Sequence, residues 1–270
     1  MPEAPENRVA QAAQLLLAVR RGAPRLSALP ADVAPTTLPE AYAIQQLVLR
    51  GLGAAVGAWK VTLFDARNGI CAPIAANTLL SSPARLSTLS APTRNTRQFG
   101  IEPEIAFRMG TDLPPRTPRV PGVPGALADA YSAAEVYAAV ASAHAVIEIV
   151  VTRFVDADAV SQLERVADNF MNEALITGSP CSDWQRLALH DLPLQVQVDG
   201  LTVHSGRGGH PLGNPLLPLV WIANHLAALG VGLKRGEYVT TGSCNGIRYS
   251  TAGQQVRVSF AELGTVELGV

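Results

Sequence analysis

Little in the chain would place it outside a reducing compartment. Its 270 residues include only three cysteines, Cys71, Cys181 and Cys244, far apart and without a CxxC pair. That excludes a disulfide framework and a thiolate zinc site, fits a cytoplasmic protein, and leaves the three thiols as small buried residues. A net charge of −1 gives no field that would gather nucleic acid or an anionic membrane surface. No apolar run is long enough to span a bilayer. The opening "MPEAPENRVAQAAQ" is acidic and polar where a secretory signal would be basic and then apolar. Charged residues make up only 16% against 48% hydrophobic, which supports a sizeable core and excludes extensive disorder. Several common site signatures are also missing. "GLGAAVG" (51–57) has glycines at dinucleotide-like intervals but follows a helical pattern instead of a strand. "SGRGGHPLGNP" (205–215) lacks the GK[ST] of a phosphate loop and reads as a flexible connection. The five histidines form neither HxxxH nor HExxH, with His204 and His210 expected at the surface, and there is no GxSxG elbow.

What is present reads as several helices and a larger number of short strands, without regular βαβ alternation. Residues 8–20 are rich in good helix formers and stop near Gly22. A second helix follows Thr37 as N-cap and stops near Gly51 or Gly53. "AWKVTLF" (58–64), "IEPEIAFRM" (101–109) and "AVIEIVVTRFV" (145–155) read as strands, and the Pro- and Gly-rich stretch 110–125 as a loop. Ser132 and Glu135 form a capping box, and Asp199-Gly200 marks a hairpin turn. A helix starts with Asn214 as N-cap and Pro215 at its first position and stops at Gly230. The closing stretch is a hairpin with Glu262 and Glu267 in water. The sum is an α+β fold with a rolled or sandwiched mixed sheet.

One stretch raises a chemical question. In "GIEPEIAF" (100–107), Glu102 and Glu104 sit one residue apart in an apolar run, so in a strand they share a face. Either that face meets water, as half-exposed strands do, or a cation sits on it. Two close carboxylates repel and resist burial, and a hard, oxygen-loving ion such as Mg²⁺ or Mn²⁺ would relieve both. A third carboxylate, Glu148, lies within another apolar strand, "VIEIVVTRF".

"IEPEIAF", "AVIEIVVTRF", "VADN" and "NPLLPLVWIANHLAALGVGLKRGEYVTTGS" occur in that order. Together they resemble the fumarylacetoacetate hydrolase superfamily, most closely its 2-keto-4-pentenoate hydratase and 4-oxalocrotonate decarboxylase branch. "GAWKVTLF" resembles that branch's GxKxGxT-type strand, and the likeness runs from about residue 40 to the end. The resemblance implies a mixed β-sandwich roll with flanking helices, with residues 1–75 packed on a catalytic domain of residues 76–270. It implies Glu102, Glu104 and Glu148 as ligands of Mg²⁺ or Mn²⁺. Lys60 would be the catalytic lysine beside the bound acid, holding its carboxylate as a cation or, if dehydration lowered its pKa, moving protons, with Thr241, Gly242, Ser243 and Asn169 lining the substrate pocket. Arg153 falls in a shared motif. A homo-oligomer acting on a small 2-oxo or 2-hydroxydienoic acid in the catabolism of aromatic compounds would follow.

The chain departs from that branch in two places. Ile74 stands where the hydratases carry an aspartate, with Asn77 nearby, and "IVVTRF" replaces a common Asp-Ser-Arg. The expected reaction is hydration of a 2-hydroxy-2,4-dienoate. Decarboxylation of a 2-oxo-enedioate comes second. C–C hydrolysis of an acylpyruvate, disfavoured by the lack of a histidine before Glu102, and non-catalytic binding of a small acid also remain.

Overall fold

The computed structural model describes residues 5–88, 98–116 and 129–270. Residues 117–125 of the expected loop lie outside them. Two sheets and five α-helices are found among the described residues. The larger sheet runs in the order β2 (Gly69–Ala75), β1 (Val56–Leu63), β10 (Tyr238–Thr240), β5 (Gln98–Met109), β6 (Val140–Val150), β7 (Asn172–Thr177), β3 (Leu79–Ser81). The short strand β11 (Arg248–Thr251) pairs with the first residues of β5. The smaller sheet is β4 (Ala84–Arg85), β13 (Gly264–Gly269), β12 (Gln255–Phe260), β8 (Pro193–Val198), β9 (Leu201–Arg207). Residues 56–75, on the N-terminal side of the expected boundary, belong to the larger sheet.

The larger sheet curls on itself. β2 and β7, far apart in strand order, touch. Asn169 Nδ2, just before β7, donates to the Pro73 carbonyl of β2 at 2.7 Å. This gives the sheet an outer and an inner face, and strand alternation divides the residues between them. Trp59, Val61, Ile101, Ile105, Phe107, Ile147, Ile149 and Val239 point outward into the main core. There they meet Val196, Val256 and Val258 of the smaller sheet and Leu219, Ile222 and Leu226 of α5 (Leu216–Ala228). The inner face carries a separate apolar cluster of two alanines and three branched aliphatics, Ala58, Ile74, Ala106, Val146 and Leu175, all fully buried.

Helices close one flank of the roll. α1 (Pro5–Arg20), α2 (Leu38–Gly51) and α4 (Gln162–Ala167) pack together with Ile70 of β2 and with Phe154. Buried Gln45 of α2 ties the Cys71 and Val166 carbonyls with its amide. Thr37 caps α2, and Ser132 and Glu135 form a reciprocal capping box on α3 (Ala133–Ala138), both as the sequence predicts. Asn214 accepts from the Leu216 amide, so its side chain serves the start of α5 although the helix opens two residues later.

Three expectations need correction. The strand expected to reach 155 ends at Val150, because Thr152 and Arg153 turn toward Asp168. His210 is buried. Its Nδ1 accepts from the Leu212 amide, so Nε2 carries the hydrogen donated to the Thr241 carbonyl at 2.6 Å. Cys181 is only half-buried, unlike Cys71 and Cys244. Among the described residues, no helix is long and apolar enough to cross a membrane.

Candidate metal centre

Glu102 and Glu148 are direct cross-strand partners in the β5–β6 ladder, and Glu104 follows on the same face. The three carboxylates therefore converge inside the roll, with one oxygen from each lying within 4.8 Å of the others. Glu104 and Glu148 are buried, and Glu102 is nearly so. The surface reading of the glutamate pair is thereby excluded.

The local chain is shaped to allow this. Pro103 lies in mid-strand, where a missing N–H would normally break a ladder. On the side away from β6, β10 ends opposite Ala106 and β11 begins opposite Ile101, so no strand pairs with residues 102–105 there. The loop after β10 fills that gap. Thr241 Oγ1 donates to the Ile105 carbonyl at 2.8 Å, the Gly242 amide to Glu104 Oε2 at 2.9 Å, and the Cys244 amide to the Pro103 carbonyl at 2.9 Å. Gly242 makes its contact with φ near +107°, a conformation that side chains resist. Of the expected pocket residues, Gly242 thus reaches a glutamate through its backbone. Thr241 spends its hydroxyl on the strand, and Ser243 bonds the Gly246 carbonyl.

Lys60 stands among the carboxylates. Its Nζ lies 2.7 Å from Glu148 Oε1 and 3.9 Å from Glu102 Oε2, and donates to the Phe170 carbonyl at 3.0 Å. Burial disfavours its charge, but Glu148 and Glu102 outweigh that and hold its pKa above the ordinary lysine value. A pKa lowered for proton transfer, which dehydration alone would give, is not what this arrangement produces.

The Phe170 carbonyl is aimed by an unusual turn. Asn169, Phe170 and Met171 all have positive φ, at 53°, 49° and 65°. Runs of left-handed non-glycine residues are costly and persist only where their surroundings enforce them. Fully buried Arg153 does so here. It holds the Asp168 carboxylate through Nε and its own amide, Glu173 Oε2 through Nη1 at 2.9 Å, and the Asp168 and Asn172 carbonyls through Nη2. Arg20 adds a bond to the Asn172 carbonyl. Asn172 Nδ2 in turn donates to Glu148 Oε1 at 2.9 Å. Asn169, expected at the pocket, uses its amide N–H on Pro73 and leaves Oδ1 buried without a partner. Sequence reading left Arg153 without a role and missed Asn172, since neither has a signal apart from its distant partners.

The donor set fits a hard divalent cation. It is all oxygen and carries three potential negative charges, and Glu148 Oε2 is buried with no hydrogen-bond partner. Burial, with the neighbouring carboxylates, raises the pKa of Glu104 well above the usual range. Burial also raises that of Glu102, to about 7, against the pull of Lys60. A carboxyl with a raised folded pKa stabilises the fold while protonated, an advantage lost as pH rises from about 4.5 toward 7. Metal binding needs the deprotonated forms and so strengthens over the same interval. In EDTA the melting temperature is therefore expected to fall between about pH 5 and 8 through these groups, and the rise caused by Mg²⁺ to grow with pH. A Mg²⁺-induced shift in scanning fluorimetry that is the same at both ends of that range would contradict this.

No family model matches the chain. Over 152 residues it is 30% identical to a 2-keto-4-pentenoate hydratase from Burkholderia vietnamiensis, covering 56% of this chain and 53% of that protein. A 4-oxalocrotonate decarboxylase from Pseudomonas putida is 30% identical over 101 residues, 37% of this chain and 38% of that protein. The chain spans about half the length, or less, of the curated relatives it matches. Among solved structures, the 4-oxalocrotonate decarboxylase from Pseudomonas putida G7, complexed with magnesium and adipate, is similar over 100% of this chain and 99% of its own, with TM-score 0.79 and 21% identity. A fumarylacetoacetate hydrolase family protein from Yersinia pestis CO92 gives TM-score 0.56 at 14% identity over 80% of this chain and 94% of its own. The chain has the fumarylacetoacetate hydrolase fold, and in sequence it is a relative of the 2-keto-4-pentenoate hydratases and 4-oxalocrotonate decarboxylases.

Proposed function

We propose that the protein is a divalent-metal-dependent lyase that adds water to a 2-hydroxy-2,4-dienoate. The observation that carries this reading is the convergence of Glu102, Glu104 and Glu148 with Lys60 inside the roll. Mg²⁺ or Mn²⁺, held by the three glutamates, would supply Lewis acidity at the 2-oxo or enol oxygen and a template for the acid. Lys60, kept cationic, neutralises the substrate carboxylate. The Gly242 amide and Asn172 fix the orientations of Glu104 and Glu148 before substrate arrives. The apolar inner cluster beside them excludes bulk water from the hydrocarbon end of the acid. Overall, one water is consumed: the terminal carbon gains hydrogen, its neighbour gains hydroxyl, and the enol becomes a ketone.

A second reading, decarboxylation of a 2-oxo-enedioate, is favoured by one observation. Ile74 is fully buried among Ala58, Ala106 and Val146, so no acid stands at that point of the roll, and Asn77 is exposed. Loss of CO₂ needs an electron sink and one proton, and no activated water. Proton NMR time courses with Mg²⁺, against EDTA controls, separate the two. A metal-dependent 4-hydroxy-2-oxo product from 2-hydroxypenta-2,4-dienoate is expected. Failure there, with metal-dependent CO₂ release from 2-oxohex-3-enedioate, would replace the hydratase by the decarboxylase. No turnover of either would remove the lyase reading.

A further inference from the structure

Thr240 is 1% exposed, and its Oγ1 has no hydrogen-bond partner. Two ladders fix where the residue points. In the parallel β1–β10 pairing it lies beside Lys60, and in the antiparallel β10–β5 pairing beside Ala106. Residues in register share a face, so Thr240 projects into the roll with Lys60, Glu102 and Glu104. Thr241 points the opposite way and is satisfied by the Ile105 carbonyl. The two adjacent threonines therefore differ: Thr241 is bonded to the neighbouring strand, and Thr240 leaves its hydroxyl covered and unbonded on the face that carries Lys60 and the glutamates.

A buried hydroxyl without a partner is a cost that valine, of nearly the same shape, would avoid at this strand position. Two more covered side-chain atoms without partners belong to residues around Lys60: Oε2 of Glu148, whose Oε1 meets Lys60, and Oδ1 of Asn169, which precedes the Phe170 carbonyl that Lys60 holds. Asn169 Oδ1 can only accept a hydrogen bond, and Glu148 Oε2 suits a cation, whereas the neutral Thr240 hydroxyl can donate as well as accept. A 2-oxo acid brings oxygens that can only accept, and Lys60 can neutralise its carboxylate without distinguishing one oxygen from another.

We propose that Thr240 contacts the substrate, its Oγ1–H donating a hydrogen bond to an oxygen of the 2-oxo acid held between Lys60 and the glutamates. This rests on the lyase reading above and assigns the acid one further point of recognition. Because the hydroxyl is a directional donor, it selects acids carrying an acceptor oxygen at that place and penalises those without one.

Thr240→Val and Thr240→Ser test this, with Mn²⁺ and pyruvate as probes in calorimetric titrations and the melting temperature of the ligand-free protein as a control. Thr240→Val is expected to melt at or above the wild-type temperature and to bind Mn²⁺ within about twofold of wild type. It should bind pyruvate roughly tenfold more weakly, the loss of about one net hydrogen bond. Thr240→Ser should bind pyruvate nearly as the wild type does. Unchanged pyruvate affinity in Thr240→Val, with wild type binding both probes, overturns this inference alone. So does a lowered melting temperature in Thr240→Val that serine restores without any change in pyruvate affinity. Wild-type protein that binds neither probe overturns the lyase reading and this inference with it.

Discussion

Protein carrying Glu104→Gln is expected to fold, to bind Mn²⁺ at least about 100-fold more weakly than wild type, and to lose about three orders of magnitude of turnover. The fold should survive because the new amide oxygen can still accept from the Gly242 amide, as Glu104 Oε2 does. Stability in EDTA should even rise. Glu104 is buried against Glu148 and Glu102, and a neutral side chain removes that repulsion. On the proposed reading the ion would lose one of three carboxylates, a larger change than the 10–100-fold typical of residues that only support a ligand. Stabilisation of transition-state charge by a metal is worth several kcal/mol, and about 1.4 kcal/mol is a factor of ten in rate. Calorimetric Mn²⁺ titration and the NMR assay give the two numbers. A variant that retains metal affinity and turnover would remove Glu104 from the centre.

The other large effect is structural. Arg153→Met should destabilise the protein by about 3–5 kcal/mol, because removing one member of a buried ion-pair network strands its partners. Those partners are Asp168 and Glu173, both buried. Arg20 stays within 3.9 Å of Asp168 and 3.6 Å of Glu173, which favours the lower half of that range. For a chain of this size the loss corresponds to a fall in melting temperature on the order of 10 °C. The turn at 169–171 should loosen with it, so that hydrogen exchange at its amides rises more than in the β5–β6 ladder. Urea unfolding measures the first effect and exchange mass spectrometry the second. A variant within about 1 kcal/mol of wild type would show that Arg20 alone holds the turn.

The contrast between these residues shows what the sequence can disclose. Strand alternation is a local property, so the shared face of Glu102 and Glu104 can be read from their spacing, as can the Ser132–Glu135 capping box and the turn at Asp199-Gly200. Burial of charge depends on partners far along the chain. Arg153 meets Asp168 and Glu173, and Lys60 meets Glu148 and the Phe170 carbonyl, and no periodicity announces either set. The same limit explains His210. In a glycine-rich stretch it looks like a surface residue, and only the nearby Thr241 carbonyl gives it a reason to be inside. It also explains why Thr241, the threonine singled out by family resemblance, has its hydroxyl bonded to the strand.

The parallel seam between β1 and β10 has a consequence for the protein during synthesis. Lys60 and Thr240, partners across that seam, are 180 residues apart in the chain. At ribosomal rates of about 5–20 residues per second, β1 is made roughly ten to forty seconds before the strand that will cover its second edge. The β1–β2 hairpin can form at once, since its strands are neighbours in sequence. Throughout that delay it presents an open row of backbone donors and acceptors beside Trp59 and Val61, a surface that invites pairing with another nascent chain. Slower elongation late in the message would lengthen that exposure, so the yield of native protein should depend on how quickly the ribosome reaches residue 240.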